Sequence, residues 1–162
     1  MDSEVKLQLE KAEHELRLAY ALFKLSADAK LKAEIETNPD DTFYSAVISH
    51  CYYSIFYATE AILLTKGIKT KLPDIHKKTF EEFKKNLVDT GELDAELLKI
   101  YKELTVRADE LLGLFAYEKW KRGHFTYKTV AQANIEPAKE SLAGAKKFVS
   151  NIKLVIFRRP SE

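Results

Sequence analysis

The chain has 162 residues, of which 46% are hydrophobic and 31% are charged, and its formal net charge is +1. A chain of this length can bury a core without metal ions or disulfide bonds, and its composition excludes disordered, collagen-like and membrane-embedded proteins. Five glycines and four prolines are few for an all-β protein. The single cysteine, Cys51, excludes an intramolecular disulfide. We therefore expect one helical domain spanning residues 1–162.

The amino terminus, MDSEVKLQLEKAE, is charged from its second residue and lacks the apolar segment of an export signal. The apolar stretch Tyr44–Leu64 has the length of a membrane span, but its tyrosines and serines, with His50 and Glu60, are costly in hydrocarbon. We therefore expect a cytoplasmic protein with no membrane contact.

The first 38 residues predict one long amphipathic helix, from about Ser3 to Glu36. The apolar positions recur at spacings of three and four residues and form one stripe: Val5, Leu9, Ala12, Leu16, Ala19 and Phe23. Residues 38 and 39, Asn-Pro, predict the break that follows, because the residue before a proline avoids helical angles. Asp40 or Asp41 is expected to cap the next helix.

The second helix is predicted from about Thr42 to Thr65, with Gly67 as its left-handed terminator. It is apolar on nearly every face, so other helices must enclose it. This pattern predicts the central helix of a bundle, with partners on at least two sides.

Three further helices follow in the pattern. Pro73 and Asp74 begin a short helix with an apolar face, and Asp94 to Lys119 shows a strong helical stripe. Residues 120–136 are predicted to form a connecting segment that packs in extended form. Pro137 fits the first turn of a last helix, which ends at residues 158–160, Arg-Arg-Pro. The fold class is therefore all-α, an up-and-down bundle of four to five helices.

The sequence contains no glycine-rich phosphate loop, cysteine-rich zinc pattern, nucleophile elbow or Glu-x-x-His pair, so no metal ion or cofactor is expected. Solvation, packing or capping explains three of the four histidines: His14, His50 and His76. His124 differs because basic and aromatic residues suited to gripping phosphate and stacking a base surround it: Lys119, Arg122 and Tyr127. A basic loop without a function explains the same residues, so both interpretations stay open.

Two other features suggest a basic surface. Seven lysines lie between Lys66 and Lys85, Lys77 and Lys78 among them, and they either coat exposed helix faces for solubility or contact phosphates. Arg107 borders the apolar stripe of a core helix, so its guanidinium must be paired, exposed or placed at an interface. A salt bridge across the bundle and a functional role both account for it.

The segment SAVISHCYYSIFYATEAILLTKG, followed by the helix start His-Lys-Lys at residues 76–78, resembles the central helices of HEPN-domain proteins. The residues that carry the match are Tyr52, Tyr53, Phe56, Tyr57, Ala58, Ala61, Leu63, Leu64 and Gly67. The later VRAD at residues 106–109 and ESLAGAKKFVSNI resemble the closing helices of that family, so the similarity covers about residues 40–155. The resemblance implies a four- to five-helix bundle, frequently a homodimer and often encoded with a nucleotidyltransferase partner.

Some members of that family are metal-independent ribonucleases, in which an Arg holds phosphate and a His a few residues later acts on the ribose hydroxyl. This sequence departs from that pattern, because the positions at which His is expected after Arg107 hold Leu112, Gly113 and Leu114. Lys119 with His124 is a loose substitute, since lysine lacks the forked contact of arginine.

These observations favour a non-catalytic, HEPN-like module that binds a nucleotide, RNA or a nucleotidyltransferase partner. In this interpretation Arg107 lines a dimer groove, while Arg122 and the lysines of residues 66–85 contact phosphate. The first alternative is a toxin-like, metal-independent ribonuclease that uses His124 with Arg107, Lys119 or Arg122. The second alternative is a structural module for protein–protein interaction.

Overall fold

The computed structural model describes residues 1–112 and 135–158, and all regular secondary structure in those two ranges is helical. The helices are α1 (Ser3–Ala27), α2 (Ala29–Glu34), α3 (Tyr44–Leu64), α4 (Ile75–Phe83), α5 (Ala95–Leu112) and α6 (Ile135–Arg158). Helix α4 continues into a π-helical turn, Lys84–Val88. The predicted all-α helical bundle is confirmed.

Helix α3 is the centre of the bundle, as its apolar sequence predicts. It packs against α1, α4, α5 and α6, and its buried side chains lie on more than one face. Among them are Val47, Tyr52, Phe56 and Ile62. Burial of apolar side chains on several faces is what holds a helix inside a bundle rather than on its surface.

Contacts at the helix ends give the direction of each helix. Phe23, late in α1, contacts Tyr44 at the start of α3, whereas Lys69, just beyond α3, pairs with Glu4 at the start of α1. Helices α1 and α3 therefore run antiparallel, as the short connection between them requires.

Helices α5 and α6 are also antiparallel. Glu96 in the first turn of α5 pairs with Lys147 in the second half of α6, and Arg107 near the end of α5 pairs with Glu140 near the start of α6. Glu13 in the first half of α1 pairs with Lys153 near the end of α6, whereas residues 16–23 of α1 line one groove with residues 139–146 of α6, so α1 and α6 are antiparallel too. The four longest helices therefore alternate in direction, which is the predicted up-and-down arrangement.

The N-terminal helix ends earlier than its sequence predicts. We expected one helix to Glu36, but Asp28 adopts extended angles (φ −112°, ψ 100°) and separates α1 from α2. The Asp28 carboxylate accepts a hydrogen bond from the Leu31 N–H at 2.9 Å, so it caps α2. Aspartate competes for backbone donors in this way, which explains the break inside an otherwise helical composition.

The predicted cap of the central helix is wrong. The residue before α3 is Phe43, and neither Asp40 nor Asp41 caps the helix. The Asp41 carboxylate instead accepts a hydrogen bond from the Asn38 N–H. The Phe43 N–H donates to Oγ of Ser26 at 2.8 Å, so a residue of α1 satisfies the donor that precedes α3.

The predicted end of α3 is confirmed at Gly67, which has φ +73°. Its N–H donates to the Leu64 carbonyl, and the Ile68 N–H donates back to the Leu63 carbonyl at 3.0 Å. This pattern is a Schellman-type helix end, in which a glycine adopts the left-handed conformation without steric cost.

An aromatic cluster joins α4, α5 and α6 in the core. The Tyr101 ring lies 5.1 Å from Phe80, 5.4 Å from Phe83 and 5.7 Å from Phe148, measured between ring centroids. Phe80 and Phe148 meet the Tyr101 ring edge to face, and Phe83 is tilted against it; such pairs add to the free energy gained by burial. The cluster therefore joins α5 and α6 to α4 in the core.

The end of α5 and the start of α6 were also predicted from the sequence. The predicted helix from Asp94 to Lys119 corresponds to α5, and its part beyond Leu112 lies outside the described residues. Ile135 and Glu136 belong to α6 and not to an extended connection. Pro137 lies in the first turn of α6, where a missing N–H costs no hydrogen bond.

Within the described ranges, none of the helices combines the length and the apolar character needed to cross a bilayer.

Candidate functional site

Arg107 lies near the end of α5, where this helix meets the start of α6. One terminal guanidinium nitrogen donates to the Glu140 carboxylate at 2.7 Å, and the other donates to Oγ of Ser141 at 3.2 Å. The Arg107 side chain is 21% exposed, whereas the Glu140 side chain is 64% exposed. The salt bridge anticipated from the sequence therefore exists between α5 and α6, and its acidic partner is open to solvent.

The partners of Arg107 were not identified from the sequence. Ser141 is fully buried and lies on the inward stripe of α6, three residues after Ala138 and four before Ala145. That spacing was a signal, since a serine at a core position needs a hydrogen-bond partner. The next residue, Leu142, is only half-buried, so the serine and not the leucine faces the core at this turn of α6.

Most of the other predicted site residues lie outside the described part of the chain. This applies to Lys119, Arg122, His124 and Tyr127, which fall between residues 113 and 134. Leu112 and Ile135 are the helical residues on either side of that segment. Both flanking residues therefore lie at the end of the bundle where Arg107 meets Glu140, which we call the Arg107 end.

Lys77 and Lys78 lie in the first turns of α4 and not near Arg107 in the chain. Lys77 is half-buried and Lys78 is exposed, and the Lys78 ammonium approaches the Lys71 carbonyl at 3.4 Å. The two hydrogen bonds of the Arg107 guanidinium go to α6 and not to α4.

Acidic side chains neutralise three of the seven lysines between residues 66 and 85. Lys66 pairs with Glu92, Lys69 with Glu4 and Lys84 with Asp89. These ion pairs reduce the positive potential that the lysine count alone suggests.

The described histidines make their contacts away from Arg107. His14 is exposed on α1, and His50 Nδ1 lies 2.5 Å from a carboxylate oxygen of Glu15, so α1 supplies its partner. His76 Nδ1 hydrogen-bonds with the Tyr52 hydroxyl at 2.8 Å. No described imidazole therefore hydrogen-bonds with Arg107, and His124 is the remaining histidine.

Burial determines the titration of the His76 imidazole. Its ring packs on Phe56 at 4.6 Å between centroids and also contacts Tyr52 and Tyr53. Loss of solvent lowers the pKa of His76 below its ordinary value of 6.5, so the neutral ring is favoured. A neutral imidazole packed against aromatic side chains contributes to the core, which is one of the roles expected for this histidine.

A small cavity of about 120 Å³ lies beside Glu60, between α1 and the end of α3. Burial raises the pKa of the Glu60 carboxyl, and the positive charges of Lys11 and Lys69 partly oppose this shift. The Gln8 side-chain oxygen in the same cavity is buried and has no hydrogen-bond partner among the residues that the structure describes. This space has the volume of a few water molecules and not of a nucleotide.

No described cluster of side chains is suited to holding a metal ion. In residues 1–112 and 135–158, no group of three or more His, Cys, Asp or Glu residues has the required arrangement. Cys51 is fully buried, and loss of solvent raises the pKa of its thiol to about 12. The thiol is therefore protonated and unsuited to nucleophilic or ligand chemistry.

Comparison with known proteins gave one informative similarity, and no family model matches the chain. A protein of Methanocaldococcus jannaschii named "Putative toxin MJ0142" is 38% identical over 90 residues. The match covers 55% of this chain and 59% of the relative, so the chain spans about three fifths of that protein's length. This all-α bundle is therefore similar, over about half of its length, to a protein that carries the name of a toxin.

Proposed function

We propose that this chain is a toxin-like, HEPN-like helical module that binds RNA at the Arg107 end of the bundle without cleaving it. The observation that carries the proposal is the half-buried guanidinium of Arg107, which α6 orients but which the residues described by the structure do not saturate. Its two described contacts use two of the five N–H donors of an arginine. The geometry therefore leaves donors that suit a phosphate oxygen.

Glu140 does not prevent such binding. Its side chain is 64% exposed, and an exposed ion pair contributes only about 0.2–1 kcal/mol to stability. A phosphate group can therefore take the place of this carboxylate, while Ser141 keeps the guanidinium in position. Leu112 and Ile135, the described residues on either side of the segment that contains His124, lie at the same end of the bundle, which supports a shared phosphate-binding surface.

A ribonuclease is the second candidate, because the relative's name is that of a toxin. In this mechanism His124 moves the proton of the ribose hydroxyl, and Arg107, Lys119 or Arg122 stabilises the phosphate charge. The described histidines do not offer a substitute, since their contacts are with Glu15 and Tyr52 or with solvent.

The test is incubation of the purified chain with labelled mixed-sequence RNA, with and without chelator, read for both mobility shift and cleavage. We expect a salt-sensitive shift with intact RNA, and about a tenfold weaker shift for Arg107→Ala, since a charge-assisted hydrogen bond is lost. Lys102→Ala, an exposed cation elsewhere on α5, is the matched control and should bind normally.

Other outcomes contradict the proposal in distinct ways. Chelator-resistant cleavage that is lost in His124→Ala but kept in His50→Ala would establish the ribonuclease instead. An equal loss of binding in Arg107→Ala and Lys102→Ala would show that only net charge matters. No shift and no cleavage would favour a purely structural module.

The resemblance also supports a homodimer and a nucleotidyltransferase partner. Light scattering at tens of micromolar tests the dimer, because an interface of standard size is occupied at that concentration. A monomer would remove the subunit interface as the location of Arg107. Co-purification with a nucleotidyltransferase encoded beside this chain tests the second partner.

A further inference from the structure

An open groove of about 640 Å³ lies between α1 and α6, and Arg107, Glu140 and Ser141 are not among the described residues that line it. Its apolar residues are half-buried: Leu16 and Phe23 from α1 and Leu142 from α6. Tyr20 stands between them on α1 and is 53% exposed. We call this surface the α1–α6 groove.

Cations line the same groove. Arg17 lies on its α1 side, and Lys139 and Lys146 lie on its α6 side, all three exposed. None of the three forms an ion pair with a residue in the described ranges. The Lys24 ammonium lies 5.4 Å from the centroid of the Tyr20 ring and adds a fourth positive charge.

The groove contains no opposing charge of its own. Among the residues that the structure describes, no acidic side chain lines it. This differs from the lysines of residues 66–85, several of which have acidic partners in the fold. Unpaired cations around an apolar floor indicate a binding surface whose acidic complement comes from another molecule.

The length of the groove suits two turns of a helix. Its residues run from 16 to 23 on α1 and from 139 to 146 on α6, so each wall is two helical turns long, or about 10 Å. An amphipathic helix with apolar residues at spacings of three, four and seven residues fills such a groove, with its flanking acids beside the cations. We propose that the α1–α6 groove binds an acidic amphipathic helix of a protein partner.

A second copy of this chain fits the groove poorly. In a twofold dimer the same patch meets itself, so the cations of one copy would face those of the other. RNA also fits poorly, because phosphate contacts leave the apolar residues Leu16, Phe23 and Leu142 in water. A helix with acidic edges satisfies both the apolar floor and the charged walls.

The test uses the full chain and a fluorescent, helical peptide of about four turns, with leucines at helical spacing and glutamates beside them. Binding is measured by fluorescence anisotropy. We expect this peptide to bind about tenfold more tightly than the same peptide with glutamine in place of glutamate. We also expect added salt to weaken the binding, and amide NMR shifts to change in residues 16–23 and 139–146.

Variants of the chain keep the test specific. Lys146→Glu and Tyr20→Ala alter exposed side chains, so folding should be kept, and each should weaken binding about tenfold or more. Lys102→Glu makes the same charge change on an exposed position of α5 and should bind normally.

Four results would overturn the proposal. The first is equal affinity for the glutamate and glutamine peptides. The second is a pattern of shift changes away from α1 and α6. The third is displacement of the peptide by RNA in a Lys146-dependent manner, which would assign the groove to nucleic acid. The fourth is a dimer that Tyr20→Ala dissociates, which would assign the groove to a second copy.

Discussion

Replacing Glu140 by glutamine should strengthen RNA binding while slightly weakening the fold. The substitution keeps the size of the side chain and an oxygen that can accept from Arg107, but removes the negative charge. Because the Glu140 side chain is 64% exposed, we expect the loss in unfolding free energy to stay within about 0.2–1 kcal/mol.

The same quantity sets the expected gain in affinity. A phosphate must displace the Glu140 carboxylate from the guanidinium, so the free energy of the ion pair opposes binding. Removing that opposition makes binding about 1.4- to 5-fold tighter, because about 1.4 kcal/mol corresponds to a factor of ten. Arg107→Ala should weaken binding, so the two partners of one ion pair are expected to change affinity in opposite directions.

The assay is fluorescence anisotropy with labelled single-stranded RNA at several salt concentrations, combined with urea unfolding of each variant. Glu34→Gln is the matched control, because it removes an exposed acidic charge from α2. Unchanged or weaker RNA binding by Glu140→Gln, relative to this control, would refute the argument. Arg107 would then be only a structural cation that joins α5 to α6.

Three further predictions concern the fold. The unfolding free energy should fall as the pH drops below 6.5 and through the lowered pKa of His76, because the unfolded chain binds a proton at this imidazole more readily than the folded chain does. His76→Phe should reduce that fall, as measured by urea titrations at several pH values. Phe148→Ala should lower the unfolding free energy by about 3–5 kcal/mol in chemical denaturation, because this side chain is fully buried. Phe157→Ala, at an exposed position, should change it by less than about 0.5 kcal/mol. Similar values for both variants would contradict the described core. Gly67→Ala should lower the unfolding free energy by about 1 kcal/mol or more, because its φ of +73° is unfavourable for alanine. Gly144→Ala should leave stability nearly unchanged, since a gain in helix propensity offsets a 3.2 Å contact with the Ile100 side chain of α5. Thermal unfolding compares the two variants.

Patterns within single segments were sufficient to predict most of the helical architecture. The apolar faces of α1 and α3 follow spacings within single segments, and the end of α3 follows from one glycine that tolerates a positive φ. The fully apolar character of α3 predicted its central position, because such a helix is stable only when enclosed. Part of the candidate site was also accessible, since Arg107 stands out as a charge at the border of an apolar stripe.

Other features depended on residues that are distant in the chain. The acceptor for the N–H of Phe43, the residue before α3, is Ser26, 17 residues earlier, and the predicted aspartates make other hydrogen bonds, both with Asn38. Arg107 meets Glu140 and Ser141, which lie 33 and 34 residues later. Their meeting depends on how α5 and α6 rotate against each other, and no local pattern specifies that rotation.

The sequence by itself determined which segments are helical and which helix is buried, because 3.6-residue periodicity and local turn chemistry act within a few residues. The tertiary structure alone decided which lysines are neutralised, which partners hold Arg107, and that cations of α1 and α6 flank one apolar groove. The physical reason is that charge pairing and groove shape depend on the register between helices, which side-chain packing across the core sets.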